Sequence, residues 1–397
     1  MTDFAATKAM FHLPQGVTYL DGNSLGPLPR AATERVQSMM ADEWGEMLIT
    51  GWNRAGWMAT PRRVGDRIAR LIGAEAGSVV LGDTLSIKVY QALASALALQ
   101  PERKIILSDS GNFPSDLYMA QGLIKTLNAG HQLVVVDPGD VAAHLTEDVA
   151  VMMLTQVDYR TGAMHDMATL TKAAQAKGAI AMWDLAHSAG AVPLDLCGCN
   201  ADFAVGCTYK YLNGGPGAPA FIYVAPRHVD DVAPALSGWL GHDAPFDFEQ
   251  DYRPGQGIDR MRVGTPPILQ IAALEAALDI WEGVDMADLR QRSIDLSELF
   301  VAEVEARCTA LTLASPRDPA QRGSQVSFRF EHGYGAMQAL IGLGVIGDFR
   351  APDIMRFGLT PLYIDHADVI TAARTIQKVM DERLWDRPEH QERSAVT

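Results

Sequence analysis

Long apolar runs and cysteines are scarce in this sequence of 397 residues, and each scarcity excludes a class of protein. No run of about 18 apolar residues occurs, so we expect no membrane-spanning helix. The four cysteines, Cys197, Cys199, Cys207 and Cys308, show neither CxxC nor mixed Cys/His spacing, so the sequence predicts no metal site. Reduced thiols in a cytoplasmic protein are the simplest interpretation.

Basic residues are also in the minority. Lys and Arg total 33 against 48 Asp and Glu, which gives a formal net charge of −15 at pH 7 and a pI near 5.1. Binding to a phosphate backbone requires a basic face, so no nucleic-acid partner is expected. The start of the chain, MTDFAATKAM, contains no basic segment followed by an apolar one, so we expect no secretory signal.

The patterning of the chain predicts its fold class. Hydrophobic and charged residues, 48% and 20%, occur in the proportions of an ordinary globular protein of about two domains. Between residues 79 and 224, short apolar runs alternate with amphipathic segments, which predicts an α/β fold with a mostly parallel central sheet flanked by helices. Residues 324–330 alternate between polar and apolar, which is typical of a half-exposed strand and predicts a second, smaller domain beginning near residue 275.

Two other segments carry local predictions. Residues 30–48 have helical periodicity, with one apolar stripe made of Val36, Met39, Met40 and Trp44. Residues 225–266 are rich in Pro, Gly and Asp, so we expect a long loop there rather than one regular element. Long loops in compact domains tend to be functional or interfacial.

The stretch from residue 179 to 217 carries the strongest chemical signal. One short apolar run ends in Asp184, and a second is followed by Lys210 and then by glycines. Ligands of parallel sheets bind at the carboxyl ends of the strands, so we expect both side chains to face one crevice. Pyridoxal phosphate (PLP) needs such a pair, because the amine binds its aldehyde carbon and the carboxylate retains the proton on its ring nitrogen.

The size of the electrostatic effect supports this pairing. A carboxylate about 4 Å from a cation stabilises it by about 4 kcal/mol at an effective dielectric near 20, or roughly three pKa units. Taken singly, Asp184 is equally well explained as a helix cap and Lys210 as a solvated charge. Their joint occurrence with Tyr209 and the glycines favours the cofactor.

Other candidate residues leave two interpretations open. Ser86 opens a predicted helix, where it is either an N-cap or part of a phosphate site. Arg356 lies in an apolar strand and needs an anion, which is either an internal carboxylate or a substrate carboxylate. Trp52 is either a core residue or an aromatic wall for a substrate ring.

Six sequence blocks point to one family. DLAHSAGAVPLDL (184–196) and YKYLNGGPG (209–217) stand beside YLDGNSLGPLP (19–29), FPSD (113–116), GWLGH (238–242) and RVGTPPIL (262–269). Together they resemble kynureninases, fold-type I PLP enzymes related to class V aminotransferases. With LTPLY (359–363) after Arg356, the resemblance spans the chain from about residue 19 to Tyr363. The resemblance implies an N-terminal arm (1–44) that contributes to the small domain, a large PLP-binding domain (45–275) and a small α+β C-terminal domain (276–397).

The resemblance also implies a role for each candidate site residue. The catalytic residues would be Lys210, Tyr209 and Asp184, and the substrate would be bound by Arg356, Trp52 and Ser24. The cofactor would be held by Leu85, Ser86, Phe113, Asp116, Thr155, Asp184, His187, Tyr209, Lys210, Trp239 and Thr265. Alternatives stay open for three of these: Asp116 as a first-turn helix acid, Thr155 as a plain strand residue, and His187 either as a brace for Asp184 or as a core histidine.

The implied activity is hydrolysis of L-kynurenine to anthranilate and L-alanine, by a hydrolase acting on carbon–carbon bonds. It would act in tryptophan catabolism and pyridine nucleotide biosynthesis. The large apolar Trp52 favours unhydroxylated L-kynurenine over 3-hydroxykynurenine. Trp239 and Thr265 imply a homodimer in which the partner's phosphate site is shared.

Other enzyme classes make different demands on the sequence. A class V aminotransferase or a cysteine desulfurase (or a selenocysteine lyase) would share Asp184 and Lys210, but a desulfurase needs a nucleophilic cysteine in a late mobile loop. Cys308 ends a predicted helix instead. A nicotinamide enzyme would need G-x-G-x-x-G between a strand and a helix, which residues 214–217 do not provide. A non-catalytic binding protein of this fold remains an alternative if the pocket is degenerate.

Overall fold

The structure is a computed structural model that describes residues 1–392. Over that range the strands are β1 (Thr18–Tyr19), β2 (Val79–Leu81), β3 (Ile105–Asp109), β4 (Gln132–Val136), β5 (Val149–Thr155), β6 (Ile180–Asp184), β7 (Phe203–Gly206), β8 (Phe221–Val224), β9 (Thr312–Leu313), β10 (Gln325–Arg329), β11 (Val345–Ile346), β12 (Asp348–Arg350) and β13 (Ile354–Gly358). The α-helices are α1 (Phe4–Ala9), α2 (Arg30–Ser38), α3 (Gly51–Arg54), α4 (Thr60–Leu71), α5 (Leu85–Ala98), α6 (Pro114–Leu127), α7 (Met167–Ala176), α8 (Pro226–Val229), α9 (Ile268–Leu278), α10 (Met286–Arg307), α11 (Gly333–Gly342) and α12 (His366–Asp381).

A seven-stranded sheet forms the centre of the molecule, in the order β2-β8-β7-β6-β5-β3-β4. All neighbours are parallel except β8, which runs antiparallel to both β2 and β7. Every residue of β5 and of β6 is buried, as expected for parallel strands covered on both faces. The predicted α/β fold with a mostly parallel sheet is confirmed.

Alternate residues of the central strands feed two hydrophobic cores. In β6, Ala181 and Trp183 pack into a core that includes α4, α7 and α9, whereas Ile180 and Met182 pack into a second core with α5 and α6. Successive side chains of a strand point to opposite faces, so one short apolar run supplies both layers. This packing fixes the sheet, and with it the positions of the residues that follow each strand.

A second, antiparallel sheet has the order β12-β13-β10-β9; α10 and α11 pack beside it, and α12 packs on α10. The expectation that its strand near residue 325 is half-exposed is wrong, because Gln325, Val326, Ser327 and Phe328 are all buried. The polar members face protein instead of water: the Gln325 side chain donates to the Tyr159 carbonyl, and Ser327 N–H donates to the Ser315 hydroxyl. Alternating polarity here reflects a polar contact inside the molecule.

The predicted helix over residues 30–48 is interrupted. The α-helix α2 ends at Ser38, a π-helix follows over Met39–Gly45, and a 3-10 turn covers Leu48–Thr50. The wider π turns change which side chains share a face, so Met39 is buried while Met40 and Trp44 are exposed. The single apolar stripe is therefore wrong. The long irregular segment 225–266 is confirmed: apart from α8 it holds only 3-10 turns over Trp239–Gly241 and Gly257–Met261.

We propose a division into an N-terminal arm (1–44) that contributes to the small domain, a large domain (45–275) and a small C-terminal domain (276–397). Strand β1 of the N-terminal arm pairs with β11 near the C-terminal sheet, which supports assigning the arm to the small domain. One hydrophobic core runs through both domains, so the two are packed as a unit. The last residues of the small domain, 393–397, lie outside the described residues.

The membrane prediction has a structural counterpart. Within residues 1–392 no helix combines the length and the apolar character needed to cross a bilayer.

Two glycines give a test of how tightly the layers pack. A Cβ at Gly65, inside α4, would lie 2.4 Å from the Val79 carbonyl oxygen of β2, whereas a Cβ at Gly122, inside α6, meets nothing within 4 Å. We expect Gly65→Ala to destabilise the protein by about 1–3 kcal/mol through overpacking. Gly122→Ala should be neutral or stabilise by up to about 1 kcal/mol, because alanine favours helix. Equal unfolding midpoints in denaturant for the two variants would contradict this packing.

Candidate active site

The carboxyl ends of the central strands enclose one cavity. The register places Thr155 at the end of β5 beside Asp184 at the end of β6, and Asp184 beside Val205 of β7. The cavity has a volume of about 290 Å³, and Lys210 and Asp184 both line it. Its other lining residues are Thr84, Leu85, Ser86, Phe113, Ser115, Thr155, Ala186, His187, Cys207, Tyr209, Gly217, Ala218 and Ala220.

Lys210 reaches the cavity from the loop after β7. Its Nζ lies 2.9 Å from Nε2 of His187, and 5.9 and 5.8 Å from the ring centres of Phe113 and Tyr209. These aromatic faces attract an ammonium group electrostatically. Among residues 1–392, the amine is therefore held in place with no carboxylate bound directly to it.

The His187 ring is hydrogen-bonded to Lys210 and not to Asp184. Burial, followed by the positive charges of Lys210 and Arg356, holds the pKa of His187 well below its ordinary value, so the ring is neutral and accepts a hydrogen bond from Nζ. Between the described residues, no hydrogen bond joins His187 to Asp184, and the ring's Nδ1 is buried without a partner. The proposed bracing of Asp184 is therefore wrong, because the turn after β6 directs the ring towards the lysine.

Asp184 and Asp116 form a pair of buried carboxyl groups. Asp184 Oδ1 accepts the Ala186 N–H at 2.8 Å, Oδ2 lies 3.5 Å from the Thr155 hydroxyl, and the carboxylate also shares a hydrogen bond with the Asp116 carboxyl group. Burial raises the pKa of both acids, but the Lys210 charge and the Ala186 N–H oppose this at Asp184. Asp116, whose pKa is raised further by the charge of Asp184, is the member that holds the proton, and Asp184 is the anion.

Two helix N-termini and two hydroxyl groups line another side of the cavity. Ser86 lies in the first turn of α5 and Ser115 in the first turn of α6, with their Oγ atoms 3.2 Å apart. The N-cap of α5 is Thr84, so the alternative that Ser86 is the cap residue is wrong. Free backbone N–H groups and the helix dipoles make such a place suited to an anion. Ser115 was missed as a site residue, although it stands inside the FPSD motif.

A buried polar network supports the Thr155 side of the cavity. Thr155 Oγ1 donates to Asn112 Oδ1 at 2.5 Å, and Asn112 Nδ2 donates to Ser108 Oγ at 3.0 Å. Phe113 follows directly and presents its ring to the cavity, edge-on to Tyr159 with centres 5.0 Å apart. Burial, then the neighbouring Cys207, raises the pKa of Tyr209, so its phenol stays protonated.

Arg356 lies at a second polar cluster, in the middle of β13. Its Nε donates to Asp348 Oδ1 at 2.6 Å, and its Nη2 bonds to Asp348 Oδ2 and, at 2.9 Å, to Ser24 Oγ. Its Nη1 donates to the Tyr159 carbonyl at 2.5 Å. The internal-carboxylate alternative is thus present in Asp348, and one of the five N–H groups remains for a further acceptor. Asp348 and Tyr159 could not be named from the sequence, because three separate segments meet here.

Six sequence-predicted residues are not among those that line the cavity: Asp116, Arg356 and Ser24, whose contacts are given above, and Trp52, Trp239 and Thr265. Trp52 packs edge-on against Trp57, with ring centres 5.6 Å apart, in a small cluster with Met39. Trp239 is exposed and packs against Phe246, and Thr265 is exposed nearby. The GWLGH and RVGTPPIL segments run side by side, since Leu240 N–H donates to the Val263 carbonyl.

Lys88 is a residue whose position the sequence did not reveal. It is fully buried on α5, where Nζ donates to Gln91 Oε1 at 2.9 Å and to the Met261 carbonyl at 3.1 Å, and it lies 3.3 Å from Asp83 Oδ2. Burial lowers the pKa of Lys88 to about 8. The lysine ties the helix that carries Ser86 to the loop that leads to Thr265.

The late cysteine does not have the surroundings of a nucleophile. Cys308 is the C-cap of α10 and is buried, and burial raises the pKa of its thiol to about 11. A desulfurase nucleophile has to be a reactive, accessible thiolate. The geometry agrees with the sequence argument against that class.

Comparison with known proteins gives two levels of similarity. The chain is 51% identical to a protein named kynureninase from Burkholderia pseudomallei (strain 1106a), over 99% of this chain and 96% of that protein, and 50% identical to one from Pseudomonas fluorescens over the same shares. A family model of the kynureninase C-terminal domain matches residues 289–376.

Solved structures show the same fold at low identity. A cysteine desulfurase from Thermococcus onnurineus NA1 superposes with a TM-score of 0.81 at 18% identity, covering 95% of this chain and 98% of that one. A mutant of C-DES with glycine covalently linked to its PLP cofactor gives 0.78 at 18% identity, covering 97% and 100%. These neighbours confirm a fold-type I arrangement.

The four thiols should differ in reactivity. Cys197 is exposed, whereas Cys207 and Cys308 are buried and burial raises the pKa of both. We expect brief treatment of the native protein with iodoacetamide to modify Cys197 first and to leave Cys207 and Cys308 unmodified, as measured by peptide mass spectrometry. Denatured protein, in which all four react, is the control. Rapid modification of Cys308 in native protein would contradict its described burial.

Proposed function

From the premise that this chain belongs to the kynureninase family, we infer that the cavity around Lys210 is where it hydrolyses L-kynurenine to anthranilate and L-alanine with PLP. The activity is that of the family, a hydrolase acting on carbon–carbon bonds. The assignment of individual residues below is our proposal.

One observation carries the proposal: an amine, a buried carboxylate and an anion-binding edge line a single cavity of about 290 Å³. Lys210 supplies the amine that the aldehyde carbon of PLP needs. Asp184 supplies the anion that the protonated ring nitrogen needs. The first turns of α5 and α6, with Ser86 and Ser115, meet the requirement of a phosphate.

The unused polar atoms of this cavity also fit PLP. The buried Asp184 carboxylate lines the cavity and keeps acceptor capacity beyond its bonds from the Ala186 N–H and from Asp116, so it can accept a hydrogen bond from a protonated ring nitrogen. Leu85, Ser86, Phe113, Thr155 and Tyr209 line the same space. We assign them to cofactor binding, with Phe113 against the ring face and Tyr209 towards the phosphate.

The protein groups have separable tasks. When bound, PLP supplies the electron-accepting ring that stabilises negative charge at the substrate's α-carbon. Lys210 would hold the cofactor, and its free amine would take the proton from that carbon as a general base. Neutral His187 accepts a hydrogen bond from Nζ and holds it in position, while Asp184, kept anionic beside protonated Asp116, favours the protonated ring nitrogen. Tyr209, with its phenol protonated, is suited to relay a proton.

Substrate binding is assigned to the second polar cluster. Arg356 has one N–H not used by Asp348, Ser24 or Tyr159, and the Tyr159 contact links this cluster to Phe113. We propose that Arg356 binds the substrate carboxylate through its remaining N–H and that Ser24 takes part in substrate binding by accepting from Arg356 Nη2 and holding the guanidinium group in place. Trp52 remains our candidate for contact with the substrate ring, favouring unhydroxylated L-kynurenine.

We also propose a cytoplasmic homodimer with shared active sites. Trp239 and Thr265 face outward in this chain, and Phe246 and Phe248 beside them are also exposed. Exposed aromatic clusters of this kind are typical of interfaces. In such a dimer, Trp239 and Thr265 would contact the phosphate site of the partner subunit.

The activity is tested with L-kynurenine and the purified holoenzyme. We expect the wild type to release anthranilate, which is detected by its fluorescence. The rate of Lys210→Ala should be at least about a hundredfold lower, because the general base is removed. The bound cofactor's visible absorbance should change in that variant as well. Lys172→Ala, at an exposed lysine, is the matched control. Transamination or sulfur release without anthranilate would overturn the proposal.

Arg356 is tested by separating binding from turnover. Arg356→Lys keeps the charge but loses the planar pair of donors, so we expect KM for L-kynurenine to rise about 10- to 100-fold with a smaller change in kcat. Arg329→Lys, at an exposed arginine on the adjacent strand β10, should leave both constants unchanged. An unaltered KM in Arg356→Lys would remove Arg356 from the substrate site.

A further inference from the structure

Two carboxylates and two guanidinium groups form one charge cluster. Its members are Asp21, Asp348, Arg350 and Arg356. Both carboxylate oxygens of Asp348 accept hydrogen bonds from Arg356, and Asp348 also forms an ion pair with Arg350 Nη2 at 2.8 Å. Ser24 donates to Asp348 Oδ2 at 2.5 Å and accepts from Arg356 Nη2. Asp348 is thus fully engaged, and its two arginines and the serine hold it as an anion.

Asp21 is the second carboxylate, and it has fewer hydrogen-bond partners than Asp348. It follows strand β1, and its Oδ1 atom is buried without a hydrogen-bond partner among residues 1–392. The Ser24 hydroxyl, which donates to Asp348, also interacts with Asp21 and lowers its pKa, so its single proton serves two carboxylates. The charges that act on Asp21 are the negative charge of Asp348 and the positive charges of Arg356 and Arg350.

The remaining titratable neighbours do not add a cation. Burial raises the pKa of Tyr19, Tyr211 and Tyr363, which lie around Asp21, so these phenols stay neutral. Burial and the charges of Lys210, Arg356 and Arg350 lower the pKa of His187, so it is neutral as well. The cluster therefore contains two anions and two cations when Asp21 is ionised. A third carboxylate, brought by the substrate, would leave one buried negative charge without compensation.

We propose that Asp21 takes up a proton when a substrate carboxylate docks at Arg356, so that substrate binding is linked to protonation of Asp21. The inference rests on the proposed role of Arg356 and assigns Asp21 as a positioning residue, which acts on the substrate through the arginine. Asp21 accepts the proton in preference to Asp348 because Asp348 is held by both guanidinium groups.

The sign of the pH dependence follows from the free protein. Burial, then the charge of Asp348, raises the pKa of Asp21 to about 7, and an added anion raises it further. Below pH 7 Asp21 already carries the proton, so affinity for a carboxylate does not depend on this group. Above pH 7 the proton has to be taken up on binding, and affinity falls by about tenfold per pH unit until the pKa of the complex is reached.

The test uses the holoenzyme and the desamino analogue of L-kynurenine, which keeps the carboxylate but has no α-amine to titrate or to react with the cofactor. Calorimetric titrations from pH 6 to about 8.5 give the dissociation constant. Repeating them at about pH 8 in two buffers with different ionisation heats gives the number of protons taken up. We expect that number to approach one, together with the tenfold loss of affinity per pH unit.

Asp21→Asn should bind the analogue with the wild type's low-pH affinity at every pH and take up no proton. Asp231→Asn, at an exposed aspartate, should behave as the wild type. A wild-type affinity that does not change with pH, or an Asp21→Asn variant that keeps the slope, would overturn the inference. If Asp21→Asn does not fold, the proton count of the wild type decides alone.

Arg356→Lys separates this inference from the proposed function. Unchanged binding of the analogue in that variant would mean that Arg356 is not the anchor, and the linkage would fall with it. Weakened binding in Arg356→Lys without proton uptake in the wild type would retain the anchor and reject only the role of Asp21.

Discussion

Burial of the Asp184 carboxylate is the constraint on which the site depends. An ionised carboxylate in the interior is costly unless hydrogen bonds and an opposite charge compensate it. Here the Ala186 N–H, the charge of Lys210 and a protonated Asp116 do so. The order β7-β6-β5 in the sheet brings Asp184 and the loop that carries Lys210 to the carboxyl ends of neighbouring strands. A change in the order of these strands would therefore also change the charges around the cavity.

A similar arrangement holds the second cluster, and the two are physically connected. Asp348 is buried between Arg356, Arg350 and Ser24, and Arg356 also binds the carbonyl of Tyr159. The ring of Tyr159 in turn packs against Phe113 at the edge of the Lys210 cavity. A ligand whose carboxylate binds at the small domain and whose amine reaches Lys210 would therefore contact a single connected polar surface.

Much of the architecture was predictable, because it follows from local patterns. The buried strands around residues 149–155 and 180–184 and the helix Met286–Arg307 come from apolar runs and periodicity that tertiary contacts reinforce. The failures have identifiable causes. The π-helix over Met39–Gly45 displaced the expected stripe, and the polar face of β10 turned out to be buried against Tyr159 and Ser315. A pattern of alternating polarity cannot distinguish water from polar protein as the neighbour of a strand.

By itself the sequence determined the fold class, the placement of Asp184 and Lys210 at one cavity, and the family to be expected, since each depends on short strand patterns or on whole motifs. Only the tertiary structure decided which groups face one another across long separations. It placed His187 against Lys210 and not Asp184, gave Arg356 the internal partner Asp348, and left Asp21 beside both. The physical reason is that charge compensation acts over a few ångströms of space, and distance along the chain does not specify it.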